Sequence, residues 1–210
     1  MMALVMPGPD GVPDVTRAHE REATPPRNAE LDRATLARCK AHDPIAFRAF
    51  VVRYERPVFA LVSRVLGHGP HVEDLAQETF LRAYRAFPTF DLDAPARPST
   101  WLLTIATRIA LDARRRKALP VQPMEAAERV PGSATPETER ARGELGRAIA
   151  TAAAKLGVEQ RAALVLYEIH GLSMTEIASA MDVPEATAKT RLFRARERMR
   201  EELGALWRDR

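Results

Sequence analysis

Arg191, Arg194 and Arg198 stand three and four residues apart in the stretch TEIASAMDVPEATAKTRLFRARER, which runs from 175 to 198. On a helix that spacing puts three guanidinium groups on one face. A guanidinium is a planar fork of donors, and it binds a phosphate or the edge of a guanine with two parallel hydrogen bonds. The chemistry in view is therefore recognition of a polyanion. Thr187, Lys189 and Thr190 lie towards the N-terminal end of the same stretch. Only Glu185 and Glu197 interrupt the basic residues between 185 and 200. A face that is merely solvated mixes its signs for pairing along the helix.

A second polar set lies in HVEDLAQETFLRAYRAF, residues 71–87. With Asp74 as the origin of a helical wheel, Gln77, Glu78, Leu81 and Arg85 fall within about 60° of it. Val72, Leu75, Ala76, Thr79, Ala83 and Phe87 form an apolar stripe on the other side. A leucine set among carboxylates and an amide, facing away from the core, has the make-up of a docking surface. A solvated face with one stray leucine has the same pattern.

A third set combines Phe90, Arg97, Ser99, Thr100 and Trp101 with the basic run RRRK at 114–117. Aromatic rings beside cations can stack unpaired bases and track a single-stranded backbone. Trp101, Leu102, Ile105 and Ile109 are equally well spaced to be core, and a basic helix end complements the helix dipole.

Catalytic patterns are missing. The sequence holds no G-x-S-x-G, P-loop, G-x-G-x-x-G or H-E-x-x-H. His68 and His71 flank a Gly-Pro pair without a third ligand in sight, which reads as a loop and not a metal site. Cys39 is the one cysteine, so a disulfide framework and a cysteine zinc site are both excluded. It lies in an apolar-periodic stretch and is expected to be a small buried hydrophobe. No cofactor, metal or small-molecule substrate is expected.

These sets need scaffolding, and 46% hydrophobic residues in 210 suffice for a core of one or two domains. The net charge of +4 and pI near 9.6 are mildly basic. No run approaches the roughly 18 apolar residues of a membrane span, and the start MMALVMPGPDG lacks a basic leader. A cytoplasmic protein is expected. Residues 1–28 hold five prolines and few large apolar residues, which predicts a disordered tail. Residues 118–140 carry prolines and a Gly-Ser pair without apolar periodicity, which predicts a linker. Two segments remain, 29–117 and 141–210.

Both segments are predicted helical, giving an all-α fold of two small helical domains joined by a flexible linker. Phe50, Val51, Tyr54, Val58, Leu61, Val62 and Val65 follow the helical period, and Gly67 closes that helix. A helix follows over about 71–87. STWLLTIATRIALDARRRK is a third, with Ser99 as the expected N-cap. EQRAALVLYEIHG is a helix closed by Gly171. Ser173 and Glu176 then have the spacing of a capping box. Residues 173–181, a turn at 182–184 and 185–204 make a helix-turn-helix, with Ala188, Leu192, Ala195, Met199 and Leu203 as the buried stripe of the second helix. Its N-terminal end would read base edges, and its flanking cations would hold phosphates.

In order and spacing the sequence resembles bacterial sigma factors of the extracytoplasmic-function type, the two-domain minimal class. DPIAFRAFVVRYERPVFALVSRVLG, HVEDLAQETFLRAYRAF and STWLLTIATRIALDARRRK resemble the family's second region. EQRAALVLYEIHGLSMTEIASAMDVPEATAKTRLFRARERMREEL resembles its fourth. The likeness covers about 31–117 and 144–203. It implies a monomer that binds core RNA polymerase and promoter DNA and is restrained by an anti-sigma factor. Asp74, Gln77, Glu78 and Leu81 would grip core polymerase. Phe90, Arg97, Trp101, Arg108, Arg114 and Arg115 would read and open the minus-ten element. Thr187, Lys189, Thr190, Arg191, Arg194 and Arg198 would read the minus-thirty-five element.

The sequence departs from the family pattern at four points. His42 stands where Gly is usual, Arg108 where Asn is frequent, and Ala188 and Thr190 where Val and Ser are commoner. A stand-alone helix-turn-helix regulator is the rival class. It would account for 173–204 but not for the Asp74–Leu81 face or the tryptophan helix.

Overall fold

The computed structural model describes residues 30–94, 96–116 and 136–208. The predicted tail at 1–28 and most of the predicted linker lie outside the described residues. Among those described there are eight α-helices and no strand.

The first four helices are α1 (Arg33–Lys40), α2 (Pro44–Leu66), α3 (Pro70–Ala86) and α4 (Pro98–Arg116). Local chemistry sets their ends. Asp32 accepts from the Thr35 amide at 2.8 Å and caps α1. Asp43 accepts from the amides of Ile45 and Ala46 at 2.8 and 3.3 Å and caps α2, which Pro44 opens. Gly67, at φ 87°, ends α2 as its sequence position predicts. Between α1 and α2 the chain turns at His42, whose φ is 58°. That is the left-handed region, which explains why glycine suits this position. His42 is held there by an edge-on ring contact with Tyr84, 4.5 Å between centroids.

One expectation needs correcting. Ser99 is not the cap of α4: the helix opens at Pro98, whose fixed φ suits a first helical turn. The Ser99 hydroxyl donates instead to Glu30, which also accepts from the Tyr54 hydroxyl.

The core of this half is aromatic. Phe50 and Phe87 are fully buried. They meet edge-on at 5.0 Å, with Phe47 and Trp101 against Phe87 at 6.2 and 5.1 Å. Each such side chain stabilises the fold by about 1.5–3 kcal/mol through burial, and each ring pair adds about 0.5–1.5 kcal/mol.

The remaining helices are α5 (Pro136–Ala154), α6 (Val158–Glu168), α7 (Met174–Met181) and α8 (Glu185–Arg208). Helix α5 opens inside the stretch read as linker. Ser173 and Glu176 form the expected capping box: the Ser173 amide donates to the Glu176 carboxylate at 2.8 Å, and the Glu176 amide donates to the Ser173 hydroxyl at 3.3 Å. Asp182 makes the turn at φ 53°. Ala188, Leu192 and Ala195 are buried, so α8 packs along its predicted stripe.

The two halves share one core. Helix α4 packs on α2 and α3 and also on α6 and α7, and α2 packs on α6.

Candidate functional site

The α3 surface follows directly from the wheel. Val72, Thr79 and Ala83 are buried. Asp74, Gln77 and Arg85 are exposed, and Leu81 keeps 51% of its surface accessible. Glu78 is half-buried and pairs with Arg82 at 2.7 Å, one turn on. The predicted set therefore stands together on one face of one helix.

The predicted minus-ten set is divided. Phe90 is buried, so its ring offers no free face for a base. It lies against Phe87 and Trp101 at 5.7 and 4.9 Å, and its carbonyl accepts from Lys40. A phenylalanine that closes an aromatic cluster supports Trp101 from behind. Trp101 itself is half-buried. Arg97, Arg108 and Arg115 are exposed and Arg114 is half-buried. Arg108 donates from Nη2 to the main-chain oxygen of Ser179 at 2.9 Å. Arg115 lies 3.7 Å from Asp112 and 3.9 Å from Glu159.

On α8 the basic stripe is present, and Lys189, Arg191 and Arg198 each meet a carboxylate. Lys189 pairs with Glu185 at 2.7 Å, and Arg198 with Glu202 at 3.0 Å. Glu185 also accepts from the Thr175 hydroxyl at 3.0 Å, which ties α8 to α7. The Lys189 contact first, and then that of Thr175, holds the Glu185 carboxyl below its ordinary range. Thr190 is exposed and returns its hydroxyl to the Ala186 carbonyl at 2.8 Å. Thr187 is half-buried, and Arg194 is exposed.

Arg191 is the member that sequence spacing could not describe. Its side chain is only 20% accessible, and Nη2 lies 2.6 Å from Glu159 Oε2. With Thr187, Thr190 and Arg194 it lines a cleft of about 700 Å³ against Gly157 and Glu159 at the start of α6.

Sequence reasoning also missed Glu159. Oε2 faces Arg191 of α8 and Oε1 faces Arg115 of α4. Its position in EQR gave no signal, because its partners are distant in the chain. Among the described residues no group of His, Cys, Asp or Glu could hold a metal ion.

Two family models match the chain, Sigma-70 region 2 over residues 50–119 and Sigma-70, region 4 over residues 146–199. The ECF RNA polymerase sigma-E factor of Escherichia coli (strain K12) is 36% identical over 176 residues, which cover 79% of this chain and 91% of that protein. The ECF RNA polymerase sigma factor SigW of Bacillus subtilis (strain 168) is 34% identical over 179 residues, 80% of this chain and 94% of that one. Among solved structures, CnrH in complex with the cytosolic domain of CnrY aligns at a TM-score of 0.56 and 25% identity. That alignment covers 83% of this chain and 97% of CnrH. Both sigma regions, in order, and relatives matched over most of their length carry one conclusion: this chain belongs to the ECF family of RNA polymerase sigma factors.

Proposed function

We propose that this sigma factor works through two modules, 29–117 as region 2 and the part from α5 at Pro136 onwards as region 4, joined by residues 118–135. Region 2 docks on core RNA polymerase through Asp74, Gln77, Glu78 and Leu81. It engages the minus-ten element through Trp101, Arg97, Arg108, Arg114 and Arg115. Region 4 reads the minus-thirty-five duplex with the N-terminal half of α8, where Lys189, Arg191 and Arg194 stand beside Thr187 and Thr190, and Arg198 adds a cation further along.

One observation carries this reading. A single chain holds both the exposed Asp74–Leu81 face and an arginine-striped helix-turn-helix, and neither set is consumed by its own module's core. A stand-alone regulator has use for only the second.

The protein initiates transcription without a chemical step of its own. Promoter DNA and core polymerase are its partners, and a restraining anti-sigma factor is a third. CnrH, a similar structure solved in complex with the cytosolic domain of CnrY, supports a protein partner for such a chain. No helix among the described residues is long and apolar enough to cross a membrane. The protein acts beside the polymerase, in the cytoplasm. The test is in vitro transcription with core polymerase on a library of fragments from the source genome. New start sites that share two spaced elements are expected. A start-site map unchanged from core polymerase alone would overturn the proposal.

A further inference from the structure

Side chains at Glu30, Arg33 and Lys40 converge on the segment that leads into the minus-ten helix α4. Arg33 donates from Nη1 to the Leu92 carbonyl at 2.9 Å and sets Nη2 2.8 Å from Asp93 Oδ1. Lys40 donates from Nζ to the Phe90 carbonyl, and Glu30 accepts from the Ser99 hydroxyl. Each partner is at least 50 residues away in the chain. Arg33 and Lys40 stand seven apart, so two turns of helix put them on one face of α1.

Helix α1 is itself firmly held. Asp32 caps its start, Leu36 and Cys39 are buried, and it packs on α2. Just ahead of it the Leu31 amide donates to the Tyr54 hydroxyl at 3.4 Å, and that hydroxyl donates to Glu30. The segment it reaches is irregular from the 3-10 turn Phe87–Thr89 to Pro98. Main-chain support within that segment is local. The Phe90 amide donates to the Phe87 carbonyl at 2.9 Å, and the Asp93 amide to Asp91 Oδ1 at 2.9 Å. Asp91, Asp93, Ala96 and Arg97 are exposed. The Arg33 side chain is 63% accessible, so its bonds add little to the core. What they fix is the path of the backbone, because the acceptors at Phe90 and Leu92 are carbonyls.

A loop ordered only on binding loses conformational entropy at that step. Bonds that fix its carbonyls in the free protein remove this cost from the encounter with DNA. We propose that Glu30, Arg33 and Lys40 are positioning residues for promoter opening. Helix α1 is a strap that preorganises 90–97, so that Arg97 and Trp101 meet the unpaired minus-ten strand in a fixed geometry. The three residues act through the loop and need not touch DNA. This inference rests on the assignment of Arg97 and Trp101 to the minus-ten element.

The test compares the full chain with the variant Arg33→Met, Lys40→Met. Amide hydrogen exchange over 91–97 in the free variant should be at least about tenfold faster, as the loss of a charge-assisted hydrogen bond predicts. Capture of core polymerase, assigned to α3, should stay as it was. On a promoter mapped with the wild-type holoenzyme, permanganate reactivity of the minus-ten thymines should fall at least about fivefold, the effect of reordering one residue's backbone. A template already mismatched across the minus-ten element should return transcription to the wild-type level, which a misfolded protein would not do. Arg33→Lys keeps the charge without the fork and should lie between wild type and the double variant. Unchanged exchange over 91–97 overturns the strap, as does full opening by a variant whose loop exchanges fast. A defect that persists on the mismatched template overturns it too. The minus-ten assignment is judged separately, by whether Arg97→Ala lowers opening with the strap intact.

Discussion

The guanidinium of Arg161 donates to the main-chain oxygen of Val65 across 3.1 Å, although 96 residues separate them. Arg161 is 1% exposed, and its other bonds go to the carbonyls of Ala154 and Leu156, each at 3.0 Å. No carboxylate takes part in these bonds. The charge is met by the C-terminal turns of α2 and α5, where unpaired carbonyls concentrate. Burial first, and then the neighbouring Arg114 charge, lowers its pKa, but an arginine remains charged in a protein.

Removing that group strands three carbonyls in the core. Arg161→Met should therefore destabilise the protein by about 3–5 kcal/mol, since each stranded buried acceptor costs about 1–3 kcal/mol. Arg161→Lys keeps the charge but loses the fork, and should fall between the two. Urea unfolding followed by circular dichroism measures both. A loss under about 1 kcal/mol for Arg161→Met would mean that the carbonyls find other partners.

His170 gives the fold a dependence on pH. It follows α6, its Nε2 is buried without a partner, and Arg64 of α2 lies near enough to act on it. Burial first and the Arg64 charge second push its pKa down to about 4. The unfolded chain titrates near the ordinary 6.5, so below that pH it binds a proton that the folded chain refuses. Stability thus falls as pH drops from 6.5 towards 4, by about 2 kcal/mol at pH 5. Above 6.5 the residue has no such effect. His170→Gln removes the proton uptake, so its unfolding midpoint should change much less between pH 7.5 and pH 5. Parallel midpoints for both proteins across that range would refute the assignment.

At His42 the sequence signal was a departure from glycine, and the structure supplies the cause in a left-handed φ of 58°. Asp182 behaves in the same way at 53°, where a short polar side chain tolerates the turn. Capping and periodicity were legible because they are local: the Ser173–Glu176 box, the Gly67 stop and the α3 wheel each involve residues a few positions apart. The packing of α4 on α7 was not legible. Leu103 and Leu111 read as ordinary helix residues until α7 arrives from more than sixty positions away. Phe90 was misjudged for a related reason. An aromatic beside cations has the composition of a stacking site, and only the tertiary cluster with Phe87 and Trp101 makes it core.

The α3 face predicts a separation of binding from folding. Asp74 and Leu81 contribute nothing to the core, since both are exposed. Asp74→Arg combined with Leu81→Arg should leave the circular dichroism spectrum and unfolding midpoint unchanged. Capture of core polymerase should fall by at least about 2 kcal/mol in binding free energy, a typical hot-spot loss. Undiminished capture by a folded double variant would move the docking surface elsewhere.

The basic stripe of α8 contains two kinds of arginine, and their substitutions should differ. Arg194 is exposed, so its replacement removes one cation from the face proposed to meet DNA. If it holds a phosphate, Arg194→Ala lowers the slope of log affinity against log salt by about 0.9. Lys189→Ala should act similarly, because its pair with Glu185 is exposed and easily exchanged for a phosphate. Arg191 is different: it neutralises Glu159 at 2.6 Å within the cleft. Arg191→Ala removes a cation and also leaves a carboxylate facing the incoming backbone. Its cost should exceed that of Arg194→Ala. Replacing Glu159 by Gln in the Arg191→Ala background should then recover part of the affinity, with a coupling of about 0.5–3 kcal/mol for two residues in contact. The measurement is fluorescence anisotropy on a promoter duplex at several salt concentrations, for the four members of that cycle beside Arg194→Ala and Lys189→Ala. Strict additivity between Glu159 and Arg191 would show that their contact has no part in reading DNA.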